Sequence, residues 1–167
     1  MNSRIFRGFS LATLALVLAA CSSVPLDETR GTGTDARGAV DPTTGLVMDP
    51  FDPASPLARD RSVYFDFDSY VVADQYRDLV DMHAGYLRNN SNQNIRIEGH
   101  ADERGGTEYN LALGQRRSEA VAQMMNLLGV NRGQIETISF GKERPRALGN
   151  TEADYAENRR ADIVYQQ

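Results

Sequence analysis

Residues 97–121 read IEGHADERGGTEYNLALGQRRSEAV, and the change of pattern inside this stretch decides the fold. Its beginning continues an alternation in which Ile95 and Ile97 are separated by Arg96 and followed by Glu98, the period-two signature of a half-buried strand over 94–98. Gly99 to Gly106 then forms a loop dense in charge and bracketed by glycines. Thr107 is expected to cap a helix running to about Leu128, with Leu113, Val121, Met124 and Leu128 as its apolar stripe and Gly129 as its stop. A strand with one apolar face and a helix with one apolar stripe bury those surfaces against each other.

The same two periods recur outward from this stretch. Val63, Phe65 and Phe67 alternate with Tyr64, Asp66 and Asp68, which predicts a strand. Val72, Tyr76, Leu79, Val80, His83 and Leu87 fall on one helical stripe, and Asp68-Ser69 offers that helix an N-cap. Ile135 to Phe140 is a third strand, Thr151-Glu152-Ala153-Asp154 a capping box opening a short third helix, and Ala161 to Tyr165 a closing strand. The order βαβαβαβ predicts an α+β domain over 59–167, a two-layer α/β sandwich whose four-stranded mixed sheet carries its helices on one face.

Upstream the composition changes twice. Residues 1–20 form an export signal, with Arg4 and Arg7 before an apolar run from Leu11 to Ala20 that is too short to span a bilayer, which needs about 20 apolar residues. The segment ends Leu18-Ala19-Ala20-Cys21, which looks like a lipobox and makes Cys21, the chain's single cysteine, the expected site of acylation by chains such as palmitate. Ser22, rather than Asp, follows it and resembles a signal for outer-membrane delivery. Residues 21–58 hold five of the six prolines, four glycines, two arginines and six acidic residues, and read as a disordered acidic tether. About 36 such residues give an r.m.s. reach of roughly 30–36 Å. The net charge of −5 argues against a nucleic-acid partner.

Three clusters draw attention for their chemistry. Arg117 lies four residues after Leu113 and four before Val121, on or at the margin of the apolar stripe. Such a cation either snorkels, pairs internally or meets a ligand, because an unpaired buried charge costs several kcal/mol. The loop 99–106 is either a solvated turn or a place where binding groups collect, and its donors His100, Asp102 and Glu103 are too few for a persuasive metal site. Asp66 and Asp68 stand about 7 Å apart if extended, but no candidate nucleophile accompanies them, so a glycosidase-like role is unpersuasive. No cofactor is implied.

The segments VYFDFDSY (63–70), IEGHADERGGTEYNLALGQRRSEAV (97–121), SFGKERP (139–145) and ENRRADIVY (157–165) resemble the peptidoglycan-associated lipoproteins, within the wider family of OmpA-like C-terminal domains. The resemblance covers about 62 to 166, and the lipobox suits that branch rather than the motor-stator relatives, which keep a transmembrane helix. It implies a non-catalytic outer-membrane lipoprotein whose domain faces the periplasm. Such a protein grips the meso-diaminopimelate of the peptidoglycan stem peptide, partners TolB and other Tol-system proteins, and supports envelope constriction at cell division. The resemblance also implies that Asp102, of the GHAD motif, and Arg117, the second arginine of LGQRR, hold the ligand. Phe67, Asp68, Arg104 and Leu113 would contribute around them, with Phe67 and Leu113 as apolar walls. Asp66 belongs to the motif without an assignable role. Gly106, Thr107 and Ser118 depart slightly from the family pattern at uncharged positions. Two expectations follow. Asp102→Ala and Arg117→Ala should abolish retention on the wall while leaving the fold intact. A protein whose main task is TolB binding is the alternative.

Overall fold

The computed structural model describes residues 39–40 and 47–167. The export signal, Cys21 and most of the tether lie outside the described residues. Strands β1 (Ala39–Val40) and β2 (Val47–Met48) pair as a short antiparallel ribbon. Helix α1 (Pro56–Arg59) and strand β3 (Ser62–Tyr64) follow, then α2 (Arg77–Asn89), β4 (Ile95–His100), α3 (Thr107–Leu127), β5 (Ile135–Gly141), α4 (Glu152–Asn158) and β6 (Arg160–Tyr165). From β3 onward the order is the expected βαβαβαβ.

The four strands β3 to β6 lie in the order β3-β6-β4-β5, so the closing strand is inserted between the first two it meets. It runs antiparallel to both neighbours, placing Val63 opposite Ala161 and Ile97 opposite Ile163, while β4 and β5 are parallel. Alternation decides which side is covered. Ile95, Ile97, Ala161 and Ile163 join Val80, Ala84, Leu87, Val121 and Met125 of α2 and α3 in one core. The intervening residues Arg96 and Glu136 pair at 2.9 Å in solvent. Gly129, in the left-handed region at φ 94°, ends α3, with Gly129 N–H on Asn126 O and Val130 N–H on Met125 O closing a Schellman turn.

Three local expectations need correction. The first strand stops at Tyr64, short of Phe67. Asp68-Ser69 caps no helix: α2 begins at Arg77 after a 3-10 turn, and Ser69 Oγ instead accepts the Val71 N–H. Arg117 of α3 instead holds the carbonyls of Asp66 and Ser69 in an isolated turn, in which the Asp66 carbonyl also accepts the Ser69 N–H at 3.2 Å. Thr107 is the first residue of α3 and provides no side-chain cap; Gly106 holds the cap position. The Thr151–Asp154 capping box forms as read.

The packed region also begins earlier than residue 59. Ser55 Oγ caps α1 by accepting the Leu57 N–H, Leu57 has 0% exposure, and Arg61 binds the carbonyls of Leu57 and Pro50. The Leu57 side chain is buried whereas the composition of 21–58 suggested a tether, because one apolar residue among prolines gives no periodicity to read. Leu57→Ala is expected to lower unfolding stability by about 2–4 kcal/mol in urea titration. A change below about 0.5 kcal/mol would show that this segment is dispensable.

Candidate functional site

Helix α3 lies unusually close to β4 because Gly114 faces Gly99. A Cβ built on Gly99 would stand 1.9 Å from the Gly114 carbonyl oxygen. One turn further along, this contact sets Arg117 under the end of the sheet with 0% exposure. Its Nε donates to Ser69 O at 2.8 Å, Nη1 to His100 O at 2.8 Å and Nη2 to Asp66 O at 3.2 Å. The guanidinium also lies 5.2 Å from the centre of the Phe65 ring. Among the described residues no carboxylate comes within 4.0 Å of it. Burial, and then the nearby Arg159, lower its pKa to about 10, which leaves it a cation at neutral pH. Three of the five guanidinium N–H groups are used by backbone, and one on each Nη is left.

Asp102, only 5% exposed, is the centre of an arginine cluster. Arg104 grips it with two edges, Nη2 to Oδ2 at 2.6 Å and Nε to Oδ1 at 3.2 Å, while Arg159 Nη1 reaches Oδ2 at 3.4 Å. Burial alone would raise the Asp102 pKa, but the hydrogen bonds from Arg104 and Arg159 outweigh it and hold the carboxyl below its ordinary value. The Arg104 guanidinium in turn lies over the rings of both Phe67 and Tyr155, 4.3 Å from each centre. Phe67, 62% exposed, is therefore a cover rather than core. Asp68 occupies the left-handed region at φ 54°, which Asp tolerates better than most residues, and accepts the Tyr109 hydroxyl. Asn110 Nδ2 holds the Arg104 carbonyl at 2.9 Å, and Lys142 Nζ holds the Gly105 carbonyl at 2.9 Å, so the loop 101–106 is fixed from both sides.

These groups surround a cavity of about 250 Å³ lined by Phe67, Asp68, Ala101, Asp102, Arg104, Gly105, Tyr109, Asn110, Leu113 and Arg117. The structure thus brings together Asp102, Arg117, Phe67, Asp68, Arg104 and Leu113, the six residues singled out in the sequence. Asp66 supplies its backbone carbonyl to Arg117, and its side chain does not line the cavity. Sequence reading missed Arg159, Glu152, Tyr155, Tyr109 and Asn110 as parts of the cluster. Only Arg159 left a trace, as a charged residue at the junction of the third helix and the closing strand. Among the described residues, no group of three or more His, Cys, Asp or Glu side chains is placed to hold a metal ion.

The histidines lie outside the cavity and report on folding. His83 is fully buried, its Nε2 donating to Asp60 O at 2.7 Å and its Nδ1 accepting the Tyr165 hydroxyl at 2.8 Å. His100 stacks on Phe140 with Nε2 3.6 Å from Asp162, beside Arg160. Burial foremost, assisted by Arg61 at His83 and by Arg160 at His100, lowers both imidazoles from 6.5 to about 4. Between these values the unfolded chain binds protons that the folded chain does not. Stability is therefore expected to fall as pH drops from about 6.5 toward 4, by up to about 1.4 kcal/mol per pH unit for each histidine. Urea midpoints at about pH 7 and about pH 5 check this, and equal midpoints would contradict neutral buried imidazoles.

Comparison with known proteins adds lineage to geometry. The family model described as the OmpA family matches residues 64–159. The peptidoglycan-associated lipoprotein of Pasteurella multocida (strain Pm70) is 38% identical over 149 residues, covering 89% of this chain and 90% of that protein. That of Legionella pneumophila is 36% identical over 162 residues, covering 93% and 92%. The crystal structure of the peptidoglycan-associated lipoprotein from Burkholderia pseudomallei is 59% identical, covers 70% of this chain and 98% of its own, and superposes with a TM-score of 0.68. The C-terminal domain of Helicobacter pylori MotB, 18% identical with a TM-score of 0.58, shares the fold. By the matched family model and the extent of these identities, the chain belongs to the OmpA family, among its peptidoglycan-associated lipoproteins.

Proposed function

We propose that the domain binds peptidoglycan non-covalently by enclosing the free end of meso-diaminopimelate in the stem peptide, and that it does no covalent chemistry. The observation that carries this reading is Arg117: a buried cation on the wall of a cavity that, among the described residues, has two N–H groups to spare and no carboxylate in reach. Of the charges lining that cavity, Asp102 and Arg104 pair with each other, which leaves one anion, Asp68, and one cation, Arg117, to face a ligand. A zwitterion fits such a site better than an anion or a cation does. The ligand carboxylate takes the two spare Arg117 N–H groups, as a planar fork favours.

The ammonium falls to Asp68 in this reading. Asp102 is already engaged by Arg104 and Arg159 and aligns them, whereas Asp68 accepts only the Tyr109 hydroxyl among the described residues. Phe67 and Leu113 supply apolar walls that lower the local dielectric. Cys21, acylated, would hold the chain to the outer membrane with the domain in the periplasm, and two or more acyl chains suffice for stable anchoring. Work within the Tol-Pal system, including at division, belongs to the same reading. The exposed rim of Phe67, Tyr70, Val71 and Tyr109 supports a second one, in which this face docks TolB.

Sedimentation with purified sacculi tests the proposal. The wild-type chain is expected to pellet with the wall, to be displaced by free meso-diaminopimelate but not by lysine, and to release no soluble wall fragments. Asp68→Asn should reduce retention. Retention indifferent to both competitor and substitution would contradict the assignment, and fragment release would make the protein an enzyme.

A further inference from the structure

Helix α4 meets Arg104, on the cavity wall, through two residues. The Tyr155 ring covers one face of the guanidinium at 4.3 Å, and Glu152 Oε2 meets Nη1 at 3.3 Å. Neither residue lines the cavity or is needed to contact a ligand. Arg104 is a half-exposed side chain whose pairing with Asp102 would count for little if both had to be ordered from free rotation, since exposed ion pairs are offset by side-chain entropy. The two rings remove that freedom. With the Phe67 and Tyr155 rings both 4.3 Å away, the guanidinium has little room to turn, and its edge meets both Asp102 oxygens.

The post behind Tyr155 is itself rigid. Its hydroxyl donates to Glu103 Oε1 at 2.9 Å, tying the ring to the same loop that carries Asp102 and Arg104. At the far end of α4, buried Asn158 accepts the N–H groups of Arg146 and Ala147 at 2.7 and 3.1 Å and donates to Ala147 O at 2.8 Å. The capping box closes the near end. Glu152 also takes Arg159 at 2.8 Å, so both arginines that hold Asp102 are held by one residue of this helix.

We infer that Tyr155 is a positioning residue for the cavity: its ring clamps Arg104 against Phe67, fixing the arginine on Asp102 before any ligand arrives, with Glu152 completing the clamp. The inference builds on the proposed recognition of a zwitterionic stem-peptide end. Ordering Arg104 in advance removes that cost from binding.

Two readouts on the full chain test it: affinity for a stem tripeptide containing meso-diaminopimelate, and water exchange of the Arg104 Nε–H by nitrogen-15 NMR without peptide. Tyr155→Ala is expected to weaken binding about tenfold, the scale of one cation–π contact plus lost preordering, and to speed the exchange. Tyr155→Phe keeps the ring but loses the Glu103 tie, so it should stay closer to wild type than to Tyr155→Ala in both, and Glu152→Gln should weaken both less than Tyr155→Ala does. Melting temperatures should stay close to wild type, since Tyr155 and Glu152 lie outside the core. Tyr155→Ala with wild-type exchange would overturn the clamp, and so would Tyr155→Phe as impaired as Tyr155→Ala. If the wild-type chain binds no tripeptide, the proposed function fails, while the exchange rates still decide whether Tyr155 holds Arg104.

Discussion

Arg117→Lys is expected to reduce affinity for a diaminopimelate-containing stem peptide about a hundredfold. Lysine keeps the positive charge, so long-range attraction changes little. The loss comes from geometry. A guanidinium offers five donors in one plane, and here three satisfy the carbonyls of Asp66, Ser69 and His100 while two remain for a ligand. An ammonium has three donors, which the same three carbonyls would occupy. Losing two charge-assisted hydrogen bonds at about 1.5 kcal/mol each gives about 3 kcal/mol, or two orders of magnitude. The same substitution is expected to lower folding stability by about 1–3 kcal/mol, because a shorter, non-planar head leaves buried carbonyls poorly matched. Arg117→Ala goes further and leaves all three unmatched. Arg117→Ala is therefore expected to cost stability as well as retention, since this arginine holds the turn at 66–69 as well as facing the cavity. Calorimetric titration beside urea unfolding separates the two effects, and a Lys variant that binds like wild type would show that the fork is not used.

The second large effect is expected from Gly99→Ala, which touches no charged group. The new Cβ would lie 1.9 Å from the Gly114 carbonyl oxygen, where ordinary contact begins near 3.4 Å, so α3 must retreat by roughly 1.5 Å. The obstruction is backbone and cannot rotate away. A cost at or above the usual overpacking range, about 3 kcal/mol, and a fall in Tm of about 10 °C follow. Because His100, whose carbonyl holds Arg117, is the next residue on β4, peptide binding should suffer with stability. Thermal unfolding by circular dichroism checks this. A Tm within about 2 °C of wild type would mean that the close approach of α3 to β4 does not hold the site together.

How far the sequence reveals this depends on whether a feature has a period. Strands β4 and β6 and helices α2 and α3 repeat apolar residues at fixed intervals, and their order can be read directly. The assignment of the six cavity residues to one site comes from motif resemblance, since Asp102 and Arg104 sit in a loop that has no period. Helix periodicity brought Arg117 to the margin of the core and could go no further, because its partners are backbone carbonyls, which every residue has. The same contacts hold residues 66–69 in an isolated turn, which the local Asp68-Ser69 pattern does not disclose. Tyr155 has a related reason: it meets Glu103 across 52 residues, with no local signal to announce it.

The most direct test of the account is calorimetric titration of the full chain with a stem tripeptide carrying meso-diaminopimelate, alongside the same tripeptide with lysine in its place. The two ligands differ by one carboxylate, the group assigned to Arg117. Binding of the first, with the second weaker by at least about tenfold, is the predicted result, as expected for loss of a charged hydrogen-bonding group. Equal affinity for the two, or no binding of either, would contradict it.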